Sequence, residues 1–100
     1  MSLQDRMKEG IKKIYNPLFL EIINDSDHHK GHKAVEGRIG KLETHFKITL
    51  VSNCFENLSR IQRHRQLYDS LKEILGEASF SEIHALSLKL VSPKEFEQNL

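Results

Sequence analysis

Three of the six histidines fall within five residues of one another, in the stretch DSDHHKGH at residues 25–32. Imidazole is the commonest metal ligand in proteins and changes its charge near neutral pH. These side chains could therefore bind a metal ion. The other three histidines, His45, His64 and His84, are spread along the chain. A metal site needs ligands that converge in space, so the role of the histidines depends on the elements that position them.

The composition is that of one globular domain. The chain has 100 residues, 38% hydrophobic and 29% charged, and a chain of this size buries one modest core. Its net charge of +1 is low for a nucleic-acid binder, which usually carries a strongly basic face. No apolar run approaches the roughly 20 residues that span a bilayer. The N-terminus lacks the apolar region of a secretory signal, and the single Cys54 excludes an internal disulfide. We expect a single cytoplasmic domain over residues 1–100 with no membrane partner.

Capping residues and apolar spacing predict three helices. The capping signals are, in chain order, Ser2 with Asp5, Asn16-Pro17, Ser59 with Gln62, Gly76, and Ser92-Pro93 with Glu95. Apolar residues recur at helical spacing in the first two helices, as in faces that pack on a core. These faces are expected to contain Leu3, Met7, Ile11 and Ile14 in the first helix, and Ile61, His64, Leu67, Tyr68, Leu71, Ile74 and Leu75 in the second.

Three strands are predicted, over residues 18–23, 45–52 and 83–91. The second alternates cleanly, so Phe46, Ile48 and Leu50 share one face. The first two strands, joined by a long polar stretch over residues 24–44, pair most simply as antiparallel neighbours. The second and third are separated by a helix and should be parallel, with a right-handed connection. The predicted fold is an α+β domain with a three-stranded mixed sheet and helices packed on one face.

This topology brings five histidines to one edge of the sheet, where the first strand ends and the other two begin. They are His28, His29, His32, His45 and His84. His64 lies on the apolar helix face and is expected to be a core or boundary residue. Cys54 follows the second strand, at the opposite end of the sheet.

The converging imidazoles have two interpretations. In the first they are half of a coordination sphere that a partner completes, because a protein-only zinc site usually has four ligands with some thiolate or carboxylate. Imidazole also replaces thiolate in some 2Fe–2S centres. In the second the loop histidines are solvated, His45 holds the loop by a hydrogen bond, and His84 is a hydrogen-bonded core residue.

The run THFKITLVSNCFENLSRIQRHRQLYDSLKEIL, followed by IHALSLKLVSPKEF, closely resembles the BolA family. The matching motifs are Arg63-His64-Arg65, His84-Ala85-Leu86, Ser92-Pro93 with Glu95 and Phe96, and FLEIINDS with His29 at the end of the family's E-S-x-x-H. The resemblance covers essentially the whole chain and implies a class II KH-like fold in the order αββααβα. The chain departs from the family in the link between strands one and two, HKGHKAVEGRIGKLETHF, which is longer than usual.

The resemblance implies an adaptor rather than an enzyme. BolA-like proteins pair with monothiol glutaredoxins, and the heterodimer holds a bridging 2Fe–2S cluster. The glutaredoxin supplies its cysteine and a glutathione thiol. The resemblance implies that this chain supplies His84 and a loop histidine, which the motif places at His29, with His28 and His32 as alternates. The implied role is iron–sulfur cluster trafficking, or iron and redox signalling.

Two other functions stay open. Some bacterial BolA proteins are described as DNA-binding transcriptional regulators of morphology and stress responses. In this chain the candidate nucleic-acid-binding residues lie on the central helix: Arg60, Arg63, Arg65 and Lys72. GRIG, residues 37–40, also matches the G-x-x-G loop of KH domains, although it lies between two predicted strands. The third possibility is a free-standing zinc, copper or nickel binder that uses the loop histidines and His84. No nucleophile–base motif suggests catalysis.

Overall fold

A computed structural model of the chain describes residues 1–25 and 44–98. The elements are α1 (Leu3–Tyr15), β1 (Phe19–Asn24), β2 (His45–Val51), a 3-10 turn (Asn53–Phe55), α2 (Arg60–Leu75), α3 (Glu77–Phe80), β3 (Ala85–Val91) and α4 (Pro93–Gln98). The order is αββααβα, as the resemblance to the BolA family implies. The short helix α3 is missing from the pattern-based prediction. Within the described residues, no helix is long and apolar enough to cross a membrane.

The three strands form one mixed sheet in the order β1-β2-β3. β1 is antiparallel to β2, with Leu20 opposite Leu50 and Ile22 opposite Ile48. β2 is parallel to β3, with Ile48 opposite Leu88. Both predicted pairings are therefore confirmed. The parallel pairing requires a crossover, which α2 and α3 provide.

The core lies between one face of the sheet and helices α1 and α2. The alternation predicted for β2 is confirmed, since Phe46, Ile48 and Leu50 are at most 2% exposed. The helices and the 3-10 turn bury Met7, Ile11, Tyr15, Phe55, Leu67, Leu71 and Leu75 against them. Apolar burial of this kind is the main favourable term in folding.

Three residues of the predicted helix faces lie outside the core. Ile14 is 47% exposed, because Tyr15 takes the inward position at the end of α1 and packs on Phe55 with ring centroids 5.4 Å apart. On α2, Ile61 and Tyr68 are 63% and 40% exposed. The buried stripe of α2 runs instead through Arg63, Leu67, Leu71 and Leu75. The prediction is therefore confirmed for Leu67, Leu71 and Leu75, and it missed Arg63.

The predicted capping residues lie where the helices begin and end. The Ser2 hydroxyl accepts a hydrogen bond from the Asp5 amide at 3.0 Å. Ser59 and Gln62 form a complete capping box, in which each side chain accepts from the other residue's backbone N–H. Gly76, with a φ of 82°, ends α2 through a hydrogen bond from its amide to the carbonyl of Lys72. Local side-chain bonds thus fix where the helices start and stop.

Helices α1 and α2 approach closely at Gly10. A Cβ at this position would lie 2.5 Å from Cδ1 and Cγ1 of Ile74. Glycine is therefore required here for packing, although it lowers helix propensity by about 1 kcal/mol relative to alanine.

The substitution Gly10→Ala should lower the free energy of unfolding by about 1–2 kcal/mol, because overpacking outweighs the gain in helix propensity. Urea denaturation measures this. In a background that carries Ile74→Ala, the same substitution should be neutral or stabilising, since the clashing atoms are gone. A stabilising effect of Gly10→Ala alone would contradict the close helix contact.

Candidate functional site

His45 and His84 lie together where β2 and β3 begin. The parallel register places His45 opposite Ala85, the residue after His84. The two imidazole ring centroids are 6.1 Å apart, with the ring planes at 73°. Of the five histidines predicted at this edge, these two are observed together there. Their roles as ligands remain a prediction.

The backbone around His84 is fixed to the start of β2 through the carbonyl of Thr44. This oxygen accepts hydrogen bonds from the amide of His84 at 2.8 Å and from that of Ala85 at 3.2 Å. The Thr44 hydroxyl also lies 2.8 Å from Nδ1 of His45. Hydrogen bonds of this kind to one ring nitrogen orient an imidazole and decide which nitrogen faces other groups.

The structure decides against a core role for His84. The side chain of His84 is exposed, and the residue precedes the first residue of β3. It therefore does not join the inward face that Leu86, Leu88 and Leu90 form. An exposed imidazole at a sheet edge can meet a group that another molecule brings.

The three loop histidines, His28, His29 and His32, lie outside the described residues, as does the GRIG segment at 37–40. The described residues contain no group of three or more His, Cys, Asp or Glu side chains that could hold a metal ion. His45 and His84 alone offer fewer ligands than the four of a structural zinc site.

His64 and Cys54 lie away from this edge. His64 is half-buried on α2, as expected for a boundary residue. Cys54 is exposed after β2, at the opposite end of the sheet, and its Sγ lies 3.9 Å from the carbonyl oxygen of Tyr15.

Arg63, one of the four predicted nucleic-acid-binding residues, has a structural role. Its side chain is only 11% exposed. Nε donates to the carbonyl of Leu58 at 3.0 Å, and Nη1 donates to the carbonyl of Leu90 at 2.9 Å and to Oε1 of Glu95 at 2.6 Å. The guanidinium also lies over the ring of Phe55, 5.8 Å from its centroid. Nε and Nη1 of Arg63 therefore have partners within the fold, and the role of Arg63 in nucleic-acid binding stays a prediction.

The other three predicted basic residues are exposed on α2. Arg60 and Arg65 lie near its start, and Lys72 lies near its end with Nζ 5.8 Å from the centroid of Phe80. The exposed apolar side chains Ile61 and Tyr68 lie between them. The sequence pattern assigned these two residues to the core, so their place on a basic, partly apolar surface was missed.

Glu95 is held ionised by its partners. Its Oε1 accepts hydrogen bonds from Nη1 of Arg63 and, at 2.8 Å, from the amide of Ser92. Ser92 directly precedes α4, where backbone amides have no acceptor within the helix. The hydrogen bond from Arg63, and then that from Ser92, lower the pKa of Glu95 from 4.5 to about 2.

This shift predicts a pH dependence of stability. The carboxyl group has the lower pKa in the folded state, so its contribution is fully present above pH 4.5 and is lost as the pH falls through about 2. The variant Glu95→Gln should therefore show a flatter fall of unfolding free energy across this window in urea titrations. Glu97→Gln, which changes an exposed carboxylate on the same helix, is the matched control. An equal flattening in both variants would contradict the assignment.

The chain is similar in sequence and in structure to known proteins. The family model described as BolA-like protein matches residues 11–95. The chain is 36% identical over 96 residues to the DNA-binding transcriptional regulator BolA of Haemophilus influenzae, covering 96% of this chain and 82% of that protein. It is 40% identical over 91 residues to SufE-like protein 1 of Arabidopsis thaliana, covering 90% of this chain and 24% of that longer protein. Among solved structures, BolA1 from Arabidopsis thaliana superimposes with a TM-score of 0.74 and 32% identity, covering 95% of this chain and 96% of that one.

Proposed function

This chain belongs to the BolA family, and on that premise we propose that it is an adaptor that binds a monothiol glutaredoxin and shares a bridging 2Fe–2S cluster with it. The observation that carries the proposal is the exposed His84 beside His45, at the common start of β2 and β3. The proposed output is iron–sulfur cluster trafficking, or iron and redox signalling.

The donor set fits such a cluster. Imidazole replaces thiolate on one iron of some 2Fe–2S centres and raises their reduction potential. In the proposed complex, His84 and His29 are the ligands from this chain, with His28 and His32 as alternates for the second. The cysteine of the glutaredoxin and a glutathione thiol complete the set.

The fold holds His84 at the sheet edge before a partner arrives. The Thr44 carbonyl binds the amides of His84 and Ala85, and the ring of His45 packs edge-on beside that of His84. Because His84 is already positioned, less conformational entropy is lost when a partner binds, and this favours binding.

The proposal predicts a spectroscopic result. A reconstituted mixture with a monothiol glutaredoxin, glutathione, iron and sulfide should give a visible circular dichroism spectrum that differs from that of the glutaredoxin homodimer. His84→Ala and His29→Ala should each alter it, because each removes a ligand. His64→Ala, which changes a histidine on α2, should leave it unchanged. A mixture whose spectrum equals that of the glutaredoxin alone would overturn the proposal.

A second candidate is a DNA-binding regulator, since one relative carries that name. The residues that support it are Arg60, Arg65 and Lys72, which remain exposed on one helix after Arg63 is assigned to the fold. The net charge of +1 argues that any electrostatic attraction to DNA is modest.

Electrophoretic shifts at several salt concentrations test this candidate. The Arg60→Ala and Arg65→Ala double variant should lose affinity, and the slope of log affinity against log salt should fall by about 0.9 for each phosphate contact removed. A preference for one duplex that persists at high salt would favour regulation. Equal, salt-sensitive binding to unrelated duplexes would reflect only general attraction and would count against a regulator.

A further inference from the structure

Among residues 1–25 and 44–98, β3 is an edge strand, and no other strand lies on its outer side. The Val91 carbonyl accepts from the amide of Ser52, on the β2 side, whereas the Leu90 carbonyl accepts from Arg63, on the opposite side. Backbone groups alternate along a strand, so those of Leu86 and Leu88 also point away from β2. No described residue forms a strand next to them.

The opposite edge of the sheet, along β1, has a comparable side-chain bond. The Ile22 carbonyl of β1 accepts a hydrogen bond at 2.7 Å from Nε2 of Gln4, on α1. A side chain thus satisfies one outward carbonyl of β1, as Arg63 satisfies that of Leu90. The backbone groups at Leu86 and Leu88 have no such side-chain bond within residues 1–25 and 44–98.

A cavity of about 600 Å³ lies beside this open stretch, between β3, the start of α2 and α4. This volume is within the range of ordinary ligand sites. Its apolar walls include Leu58, Leu88 and Leu90. A side chain from a segment placed along β3 could enter it.

The rim of the cavity is basic. Arg60, His64 and Lys89 line it, together with Arg63 and Glu95, which pair with each other. Arg60 and Lys89 form no ion pair within the described parts of the chain. The surface therefore favours an occupant with negative charge.

The apolar surface continues along the edge toward His84. Ile61 and Tyr68 line a second hollow of about 310 Å³ with Arg65. Tyr68 then borders a third hollow, which includes Leu86 and His84. Ile61 and Tyr68, which are both exposed, thus extend the apolar surface beside this edge, and such exposed apolar patches often mark binding surfaces.

We propose that this edge is a docking site for an extended, acidic segment of a protein partner. The segment adds as a strand along β3 and pairs with the backbone of Leu86 and Leu88. One of its apolar side chains enters the cavity, and an acidic side chain meets Arg60 and Lys89. The open backbone groups favour an extended chain, because the backbone of a helix is bonded internally. A second copy of this chain is disfavoured, since a symmetric contact would bring the same cations together.

This inference goes beyond the cluster-sharing role and does not require it. Selection from a display library of random linear dodecapeptides against the intact protein supplies the probe. The selected peptides should alternate apolar and acidic residues. Their binding, measured by fluorescence anisotropy, should weaken by about tenfold or more with Arg60→Glu, because like charges then meet. Lys12→Glu, the same charge reversal on an exposed residue of α1, should leave it unchanged.

Two further measurements examine the strand pairing itself. Peptide binding should slow amide hydrogen exchange at Leu86 and Leu88, and N-methylation of the peptide amides that face β3 should abolish binding.

The proposal is overturned if no peptide is enriched, if Arg60→Glu has no effect, or if N-methylation is tolerated. Protection of Leu86 and Leu88 by single-stranded DNA, and not by the peptides, would assign the edge to nucleic acid instead. His29→Ala, which changes the other proposed cluster ligand and no residue of the docking surface, should alter the cluster signal and leave peptide binding intact, and this separates the present proposal from the proposed function.

Discussion

The guanidinium of Arg63 is the interaction that joins the separate elements beside the apolar core. It joins α2 to the backbone before that helix at Leu58, to β3 at Leu90, and to α4 at Glu95. A buried charge of this kind is costly to desolvate unless its hydrogen bonds are made, and here the partners are two carbonyls and an ionised carboxylate. β3 lies where its parallel pairing with β2 holds it, and the bond from Arg63 to Leu90 ties α2, which precedes it in the chain, to the same strand. Arg63 also donates a hydrogen bond to the outward carbonyl of Leu90, so the unpaired stretch of β3 stops before Leu90.

The position of β3 in turn creates the histidine edge. A parallel neighbour begins at the same end as β2, so the residue before β3 meets the first residue of β2. The Thr44 carbonyl fixes this meeting, because it binds the amides of His84 and Ala85 together. An antiparallel β3 would begin at the other end of the sheet and would leave His84 far from His45. The proposed half-site is therefore a consequence of topology, and no local motif contains it.

Much of this could be predicted from the sequence where the physics is local. The alternation in β2, the capping boxes and the two strand pairings follow from side-chain period and connection length, and all are confirmed. Leu67, Leu71 and Leu75 on the inward face of α2 were predicted, whereas Arg63 was missed, because its burial depends on the carbonyl of Leu90 and the carboxylate of Glu95, which are distant in sequence. For the same reason the sequence pattern predicted Ile61 and Tyr68 in the core and Arg63 on a basic surface, whereas Ile61 and Tyr68 are exposed and Arg63 is nearly buried. At α1, Tyr15 displaced Ile14 because a tyrosine can bury its ring and still bond its hydroxyl to Ser70 at 3.0 Å. The ligand role of His29 stays a prediction, since that residue is outside the described part of the chain.

The two proposed surfaces share one strand, and this has a physical consequence. His84 precedes β3, and the open backbone of Leu86 and Leu88 follows within the next four residues. A segment docked on that edge would add strand pairing to a stretch that pairs with β2 alone among the described strands. Since Thr44 already anchors the beginning of β3, such pairing would further restrain the backbone that presents His84. If the backbone at His84 is already restrained, less conformational entropy is lost when His84 binds the proposed cluster. The two sites would then be coupled through the rigidity of β3, without any change in the arrangement of the sheet.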